Sequence, residues 1–387
     1  MLAILAPGQG AQQQGFLSDW LRLDGVVENL QRHSDAAGID LIAAGTTMSD
    51  ADITDTRVAQ PLIVAASLMT AALLPDLPRG TVFAGHSVGE FAASALAGAL
   101  TEADAMRLVA ERGAAMARAS ASPAGGMTAL LGGDPDEVMA AIEAAGAEVA
   151  NHNANGQVVA AGTLDALDRL AASPPNRARL RPLAVAGAFH TKLMEPARDA
   201  IASAASTAVP SDALFGVVSN TDGELLTDGS EVLRRLVAQV CQPVRWELCM
   251  QTLAALGVTA TIELAPAGTL TALLRRELPG VATLALRSPD DLAAASQLID
   301  EHAAELTCTT MPWQLLVSPA GGTVSVTAAS LDSALSVGDV VVRIATRTED
   351  LEVCADRAGH LVEWLVHDGD PVSPGQPLAR VSAEALA

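Results

Sequence analysis

The most informative segment of the sequence is Thr81-Val82-Phe83-Ala84-Gly85-His86-Ser87-Val88-Gly89-Glu90. Its first four residues form an apolar run that predicts a short buried strand, and the alanine-rich sequence from Glu90 predicts a helix. The turn between them has the G-x-S-x-G pattern of a nucleophile elbow. Such a turn lifts a serine hydroxyl above the sheet, at a helix N-terminus whose backbone N–H groups can stabilise an oxyanion. We therefore predict that Ser87 is a nucleophile; the alternative is a purely structural turn.

Strands and helices alternate on both sides of this turn. An apolar strand is predicted over Leu2 to Ala6, and a buried helix over Gln60 to Leu74. This alternation predicts an α/β fold with a hydrolase-like parallel-sheet body, formed by residues 1–124 and 187–306.

Two regions have a different order of elements. Residues 125–186 give the order β-α-β-β-α-β, with a hairpin turn at Asn155-Gly156, and this order predicts an inserted ferredoxin-like subdomain. From about Trp313, short β runs alternate with Gly and Pro turns. This spacing predicts a C-terminal all-β sandwich over residues 311–387.

The composition limits the classes of function. The chain has 387 residues and a formal net charge of −22, which disfavours nucleic acid and anionic membranes as partners. The longest mainly apolar run, Leu62 to Leu74, is too short to span a bilayer. The four cysteines are widely spaced and have no histidine at ligand spacing, so we expect no metal site. Reduced thiols and the absence of a basic segment before the first strand predict a cytoplasmic location.

A serine nucleophile needs a general base, and histidine is the common choice. Of the seven histidines, His86 adjoins the serine but lies on the wrong side of the elbow to be assumed the base. His190 directly follows the last predicted strand of the inserted subdomain, within Gly187-Ala188-Phe189-His190-Thr191. That position suits a side chain that faces a cleft between two domains.

Six segments together resemble the malonyl-CoA:acyl-carrier-protein transacylases and the acyltransferase domains of polyketide synthases. Within about residues 1–285 they are Pro7-Gly8-Gln9-Gly10-Ala11-Gln12, Gly85-His86-Ser87-Val88-Gly89-Glu90, Glu111-Arg112-Gly113, Asn151-His152-Asn153-Ala154-Asn155-Gly156-Gln157-Val158-Val159, Gly187-Ala188-Phe189-His190-Thr191 and Val218-Ser219-Asn220. The resemblance implies an enzyme that moves a malonyl group from malonyl-CoA to the phosphopantetheine thiol of an acyl carrier protein. It also implies polyketide or fatty-acid biosynthesis, and no bound cofactor.

The resemblance implies a role for individual residues. Ser87 matches the nucleophile, His190 matches the general base, and the backbone N–H groups of Gln9 and Val88 match the oxyanion hole. Arg112 matches the arginine that holds the malonyl carboxylate, which a guanidinium binds by two parallel hydrogen bonds. Without the resemblance, an ion pair on a helix surface is the simpler interpretation of Arg112.

Further positions match the surroundings of these groups. The backbone carbonyl of Gln239 matches the group that orients the histidine. Gln60 matches a pocket-lining glutamine, and Phe189 and His86 are expected to line the same pocket. Val88 after the serine and Phe189 before the histidine resemble the malonyl-selective pattern. Since a bulky Phe should crowd an α-methyl branch, we expect malonyl rather than methylmalonyl.

The C-terminal region resembles a biotinyl/lipoyl carrier domain, through segments such as Gly338-Asp339 and Asp368-Gly369-Asp370-Pro371. In that family a lysine on an exposed hairpin carries the prosthetic group. Here Thr348 stands at that position by spacing, and Lys192 is the one lysine of the chain. We therefore expect neither biotin nor lipoate. Docking of a partner, self-association and covering of the active site are alternative roles for this domain.

Three other functions compete with malonyl transfer. A malonate decarboxylase-type malonyl transfer component is disfavoured by the missing lysine. An editing acyl hydrolase on the same fold is disfavoured by Arg112, because this residue selects a carboxylated acyl group. A non-enzymatic scaffold is disfavoured because Ser87, His190 and Arg112 are all present.

An acyl carrier protein is usually acidic, so its docking site on this acidic chain should be a local arginine patch. One candidate lies at the last strand of the inserted subdomain and the other on later helices. These two sets are Arg177, Arg179 and Arg181, and Arg234, Arg235, Arg275 and Arg276. An ordinary solvated surface is the alternative for both.

Overall fold

The computed structural model divides into two compact units, Met1–Ala304 and Glu305–Ala387. The inserted segment 125–186 belongs to the first unit. The residues that the structure describes are 1–185, 187–307, 313–326, 331, 333–346, 350–355, 359–374 and 376–382.

The first unit alternates strands and helices. Its strands are β1 Leu2–Ala6, β2 Val82–Gly85, β3 Gly125–Gly132, β4 Glu148–Ala154, β5 Gln157–Thr163, β6 Ala178–Pro182, β7 Gly216–Val218, β8 Leu225–Leu226, β9 Val244–Arg245, β10 Ala260–Glu263 and β11 Ala282–Ala285. The helices are α1 Val26–Ala37, α2 Leu41–Thr46, α3 Asp50–Thr54, α4 Thr56–Ala71, α5 Gly89–Leu96, α6 Glu102–Ala119, α7 Pro135–Ala144, α8 Leu164–Ala172, α9 Glu195–Ala205, α10 Gly229–Ala238, α11 Trp246–Ala255, α12 Thr269–Glu277 and α13 Leu292–Thr307. Within the described residues, no helix is both long and apolar enough to cross a membrane.

Six of the described strands form the main sheet, in the order β11-β10-β1-β2-β7-β8. Neighbours pair in parallel from β11 to β7, whereas β8 pairs with β7 antiparallel. The predicted parallel sheet is therefore wrong at this edge, because the connection from β7 to β8 is too short for a parallel crossover. Side chains of β1 alternate between two apolar cores, so the centre of the sheet is buried on both faces.

The second sheet has the order β6-β3-β5-β4-β9. Its first four strands, with α7 and α8, follow the β-α-β-β-α-β order that the sequence predicts for this segment. The hairpin of β4 and β5 turns at Asn155-Gly156, where Gly156 has a φ of 67°. The fifth strand, β9, pairs with β4 in parallel. It was not predicted, because a two-residue strand has no periodicity.

The two faces of this second sheet have different surroundings. Leu130 and Ala160 pack with α7 and α8 in one apolar cluster. Met127 and Val159 point to the other face and pack in a cluster that includes Phe189. This second face is the one that approaches the predicted nucleophile.

The predicted strand–turn–helix around Ser87 is present, because β2 ends at Gly85 and α5 begins at Gly89. A Cβ atom on Gly85 would lie 2.1 Å from the carbonyl carbon of Gly89, and one on Gly89 would lie 2.2 Å from the Ala6 oxygen. Both positions therefore require glycine. Ser87 itself has a φ of 52°, a left-handed conformation that costs an L-residue about 1–2 kcal/mol.

The second unit is all-β within its described residues from Trp313 onward. Two four-stranded sheets, β12-β19-β17-β14 and β16-β15-β13-β18, enclose an apolar core and pair antiparallel throughout. The predicted all-β character agrees with this arrangement, while Thr348 lies outside the described residues. The strands are β12 Trp313–Val317, β13 Gly322–Val326, β14 Ala334–Leu335, β15 Val340–Ala345, β16 Asp350–Cys354, β17 Gly359–Trp364, β18 Pro371–Val372 and β19 Pro377–Ser382.

Candidate active site

The fold brings Ser87 and His190 into contact, although 103 positions separate them in the sequence. The Ser87 Oγ lies 2.7 Å from Nε2 of His190. Nδ1 of His190 lies 2.9 Å from the backbone oxygen of Gln239 and 3.1 Å from that of Gln242. Because a carbonyl only accepts hydrogen bonds, we assign the ring proton to Nδ1, which leaves the lone pair of Nε2 facing the serine hydroxyl. The imidazole is thus arranged to accept the serine proton.

His190 is buried and has a φ of 62°, so its backbone, like that of Ser87, is held in the left-handed region. Burial, and after it the positive charge of Arg112, lower the pKa of His190 to about 3. The neutral form, which can act as a base, therefore prevails at neutral pH. The predicted contact with the Gln239 carbonyl is present, and Gln242 is a second carbonyl that the sequence did not indicate.

A cavity of about 170 Å³ opens above the Ser87–His190 pair. Val88 is the N-cap residue of α5, so its N–H group belongs to the helix end that has no partners within the helix. The lining of the cavity includes seven of the predicted site residues: Gln9, Gln60, His86, Ser87, Val88, Phe189 and His190.

His86 faces the cavity but does not bond to the serine. Its Nε2 lies 2.9 Å from the Asn153 side-chain oxygen, on β4 of the second sheet, and its ring makes an edge contact with Trp246. Burial lowers the pKa of His86. His86 therefore joins the elbow to the second sheet, which agrees with the expectation that it is not the base.

Arg112, on α6, lies completely buried behind the cavity, so the interpretation as a surface ion pair is wrong. Its Nη1 donates to the Gln60 side chain at 2.7 Å, and Nη2 donates to the Gln239 side chain at 3.0 Å. Nη2 also lies 3.4 Å from the Ser87 Oγ. Burial lowers the pKa of Arg112 to about 10, so the guanidinium remains charged at neutral pH.

The partners of this buried cation are neutral amides. Apart from the longer contact with the Ser87 hydroxyl, its hydrogen bonds among the described residues go to these amides, and the Nε atom has no hydrogen-bond partner there. A buried charge with incomplete pairing is costly, and a ligand carboxylate would supply the missing partner. The arrangement therefore suits an acyl group that ends in a carboxylate.

Two residues of the site received no role from the sequence, although both lie in quoted motifs. The Asn220 side-chain oxygen accepts a hydrogen bond from the Ser87 N–H at 2.7 Å, and its amide donates to the Gly85 carbonyl at 2.7 Å. Glu90 accepts from the Asn220 N–H at 2.9 Å and from the Gln239 side chain. Burial raises the pKa of Glu90 to about 7. These residues hold the elbow in place through hydrogen bonds. The signals in the sequence were their positions alone, since Asn220 follows a predicted strand and Glu90 follows the elbow.

The two predicted arginine patches differ in their ion pairing. Arg234 and Arg235 form ion pairs with nearby acids on α10 and beside β8. Arg179 and Arg181 are exposed on β6, with no ion pair among the described residues. Arg177 precedes β6 and has a φ of 59°, so only Arg179 and Arg181 occupy alternate positions on the strand.

A largely parallel sheet, a serine at a nucleophile elbow and a histidine within hydrogen-bond distance define a class, the enzymes that act through an acyl-serine. The described residues contain no cluster of His, Cys, Asp or Glu that could hold a metal ion. The chain belongs to the acyl transferase domain family, whose sequence pattern matches residues 5–311. Within that family it belongs to the malonyl CoA-acyl carrier protein transacylases.

Three relatives document this membership. A malonyl CoA-acyl carrier protein transacylase of Mycobacterium tuberculosis is 48% identical over 302 residues, which cover 77% of this chain and 100% of the relative. The crystal structure of MCAT from Mycobacterium tuberculosis superposes with a TM-score of 0.74 at 48% identity, and covers 76% of this chain and 99% of that one. A malonyl-transacylase in complex with a type II PKS acyl-carrier protein has a TM-score of 0.71 at 30% identity, with coverages of 77% and 99%. These similarities establish the α/β acyltransferase fold.

The pKa of His190 leads to a prediction about stability and pH. In the unfolded chain this imidazole has its ordinary pKa of 6.5, whereas in the folded chain its pKa is about 3. As the pH falls below 6.5, the unfolded state therefore binds more protons, and His190 lowers the free energy of unfolding. Urea unfolding of wild type and His190→Ala at a series of pH values measures this effect.

We expect the wild-type free energy of unfolding, relative to that of His190→Ala, to decrease as the pH falls through this window. NMR of the histidine ring carbons should show that the His190 imidazole stays neutral where ordinary histidines titrate. A His190 resonance with a midpoint near the ordinary value would contradict the buried environment.

Proposed function

We propose that this chain is an acyl-carrier-protein S-malonyltransferase that works through an acyl-enzyme at Ser87. The observation that carries the proposal is the buried Arg112 guanidinium, 3.4 Å from the Ser87 Oγ, with only neutral partners among the described residues. Malonyl-CoA is the substrate expected from the family, and the relatives' names support the same reaction.

The first half-reaction follows from the geometry of the pair. His190 Nε2 takes the proton of Ser87 as its Oγ attacks the thioester carbonyl of malonyl-CoA. The N–H groups of Gln9 and Val88, both at the cavity wall, would hold the oxyanion of the tetrahedral intermediate. The imidazolium then gives its proton to the leaving CoA thiolate, and malonyl-Ser87 remains.

In the second half-reaction the phosphopantetheine thiol of an acyl carrier protein attacks malonyl-Ser87. His190 accepts the thiol proton and returns a proton to the Ser87 Oγ, which restores the free enzyme. Water is the competing nucleophile. The small volume of the cavity, about 170 Å³, limits the water that can reach the ester.

Arg112 gives selectivity for a carboxylated acyl group. A malonyl carboxylate can pair with the guanidinium, whereas an acetyl group leaves the buried charge without an anionic partner. Phe189 lines the cavity next to His190, where its ring should crowd an α-methyl branch. We therefore infer malonyl rather than acetyl or methylmalonyl as the transferred group.

We propose that the acyl carrier protein docks along Arg179 and Arg181. In the register of the second sheet, Arg181 lies opposite Ala129, and Ala129 lies opposite Val159, which lines the cavity. Directly opposed residues share one face of a sheet. Both exposed arginines thus lie on the face that leads to the cavity. One relative is in complex with a type II PKS acyl-carrier protein, and we infer a role in polyketide or fatty-acid biosynthesis here.

For the second unit we propose a biotinyl/lipoyl-like sandwich that carries no prosthetic group. Two facing four-stranded antiparallel sheets support this fold, and the absence of any lysine beyond Lys192 supports the lack of modification. The intact mass of the purified chain tests the second point, since biotin or lipoate would add to the sequence mass.

Labelled malonyl-CoA tests the acyl-enzyme. We expect a malonyl adduct on Ser87 in wild type, and a loss of adduct and transfer by about 10³-fold or more in Ser87→Ala, because the nucleophile is absent. Intact-protein mass spectrometry measures the adduct, and Ser206→Ala, an exposed serine at the end of α9, is the control. An adduct that persists in Ser87→Ala would contradict the proposal. Rapid release of malonate without a carrier protein would indicate a hydrolase.

Arg112→Ala should shift the acyl preference. We expect the ratio of kcat/KM for malonyl-CoA over acetyl-CoA to fall by about 10²-fold, because a buried charge-assisted contact to the carboxylate is lost. Single-turnover acylation with both thioesters measures the ratio. Arg118→Ala removes an exposed arginine from the same helix, where it pairs with Glu111, and should keep the wild-type ratio. An unchanged ratio in Arg112→Ala would remove Arg112 from the substrate site.

Replacing Arg179 and Arg181 together by Ala tests the docking surface. We expect KM for the acyl carrier protein to rise by about tenfold, with acylation by malonyl-CoA little changed and a weaker dependence on salt. Arg234→Ala is the matched control, since that arginine is already paired with Glu231. If Arg234→Ala has the larger effect on the carrier protein, docking occurs elsewhere.

A further inference from the structure

Glu90 is a buried acid for which the proposed mechanism has no use. It lies in the first turn of α5, directly after the elbow, and only 4% of its surface is exposed. Its Oε1 accepts a hydrogen bond from the Asn220 N–H at 2.9 Å, and its Oε2 accepts one from the side-chain amide of Gln239. Each carboxylate oxygen therefore faces a donor from a different segment of the chain, and the Ser219 side chain is a further hydrogen-bonding neighbour of Glu90.

The Gln239 side chain is the centre of this network. Its Nε2 donates to the backbone oxygen of Ser87 at 3.0 Å as well as to Glu90. Its Oε1 accepts from Nη2 of Arg112 at 3.0 Å, and its backbone carbonyl faces His190 Nδ1. One residue thus contacts the nucleophile, the base and the carboxylate-binding arginine of the proposed mechanism.

The orientation of the Gln239 amide decides whether this network holds Arg112. A side-chain amide can rotate by half a turn and exchange its oxygen and nitrogen at almost no steric cost. The Glu90 carboxylate and the Ser87 carbonyl are both acceptors, so they fix Nε2 on their side. The amide oxygen is consequently directed at Arg112, and its lone pair accepts from the guanidinium.

We propose that Glu90 is a positioning residue, which fixes the Gln239 amide and through it the place of the Arg112 guanidinium beside Ser87. This proposal rests on the proposed malonyl transfer and adds a determinant of its acyl selectivity. Above the Glu90 pKa of about 7 the ionised form prevails, and its negative charge also favours the charged form of Arg112 across the amide. A carboxylate suits this place because both of its oxygens accept hydrogen bonds, whereas a carboxamide has one acceptor for the two donors.

Glu90→Gln keeps the size of the side chain and removes one acceptor, so it tests the proposal directly. One donor, from Asn220 or from Gln239, must then face an NH₂ group, and the amide next to Arg112 loses its fixed orientation. We expect KM for malonyl-CoA to rise by about tenfold, and the malonyl-to-acetyl ratio of kcat/KM to fall by a similar factor. The value of kcat should change much less, since the backbone carbonyls that orient His190 are kept.

Glu263→Gln is the matched control. Glu263 is a fully buried carboxylate on β10 whose two oxygens accept from the N–H groups of Leu270 and Thr271, away from Arg112. The Glu263→Gln variant should lower the midpoint of urea unfolding about as much as Glu90→Gln does. It should keep the wild-type malonyl-to-acetyl ratio of kcat/KM. A ratio that falls equally in both variants would mean a general loss of stability, and it would overturn the positioning role.

Gln239→Met is a second variant, in case Glu90→Gln does not fold. It removes the amide but keeps the backbone carbonyl that faces His190, so it should lower the same ratio by about the same factor. If both act through one amide, the double variant should be no worse than either single variant. Additive losses, or a wild-type ratio in folded Glu90→Gln, would overturn the proposal. Wild type without any malonyl adduct would instead overturn the malonyl transfer itself.

Discussion

The close approach of the elbow to the first strand is the constraint on which the site depends. Gly89 packs against the backbone oxygen of Ala6, and any side chain there would separate α5 from β1. In the turn between β2 and α5, Ser87 adopts a left-handed conformation, and its N–H group donates to the Asn220 side chain. The strain of this conformation is offset by the buried hydrogen bonds around it, so the hydroxyl is presented to His190 in one direction.

Around this rigid turn, the electrostatics of the site depend on two buried charges that a single amide joins. Arg112 and Glu90 lie on α6 and α5, and the Gln239 side chain contacts both. Because the amide is neutral, the guanidinium is held in place without a direct carboxylate partner. In the proposed malonyl transfer, an incoming carboxylate would therefore meet a positioned cation and would not have to displace an existing ion pair.

The elements predicted best are those with a local cause. The G-x-S-x-G turn required its glycines, and the Asn155-Gly156 pair required a tight hairpin, so both are read correctly from adjacent residues. Elements of two residues, such as β8 and β9, have too little sequence for any periodicity and were not foreseen. The predicted strand direction was wrong at the edge of the main sheet because β8, which forms that edge, is one of these short elements.

Short motifs, whose chemistry requires particular residues at fixed spacing, were enough to predict Ser87 as the nucleophile and His190 as the base. The same motifs indicated the acyltransferase family to which the chain belongs. The sequence also determined that the second unit lacks a lysine for a prosthetic group. The tertiary structure decided that Arg112 is a buried cation beside Ser87 and not half of a surface ion pair. It also decided that Glu90 and Gln239 meet across 149 positions. Burial and hydrogen-bond partners depend on distant segments that pack together, and no local pattern in the sequence encodes which segments these are.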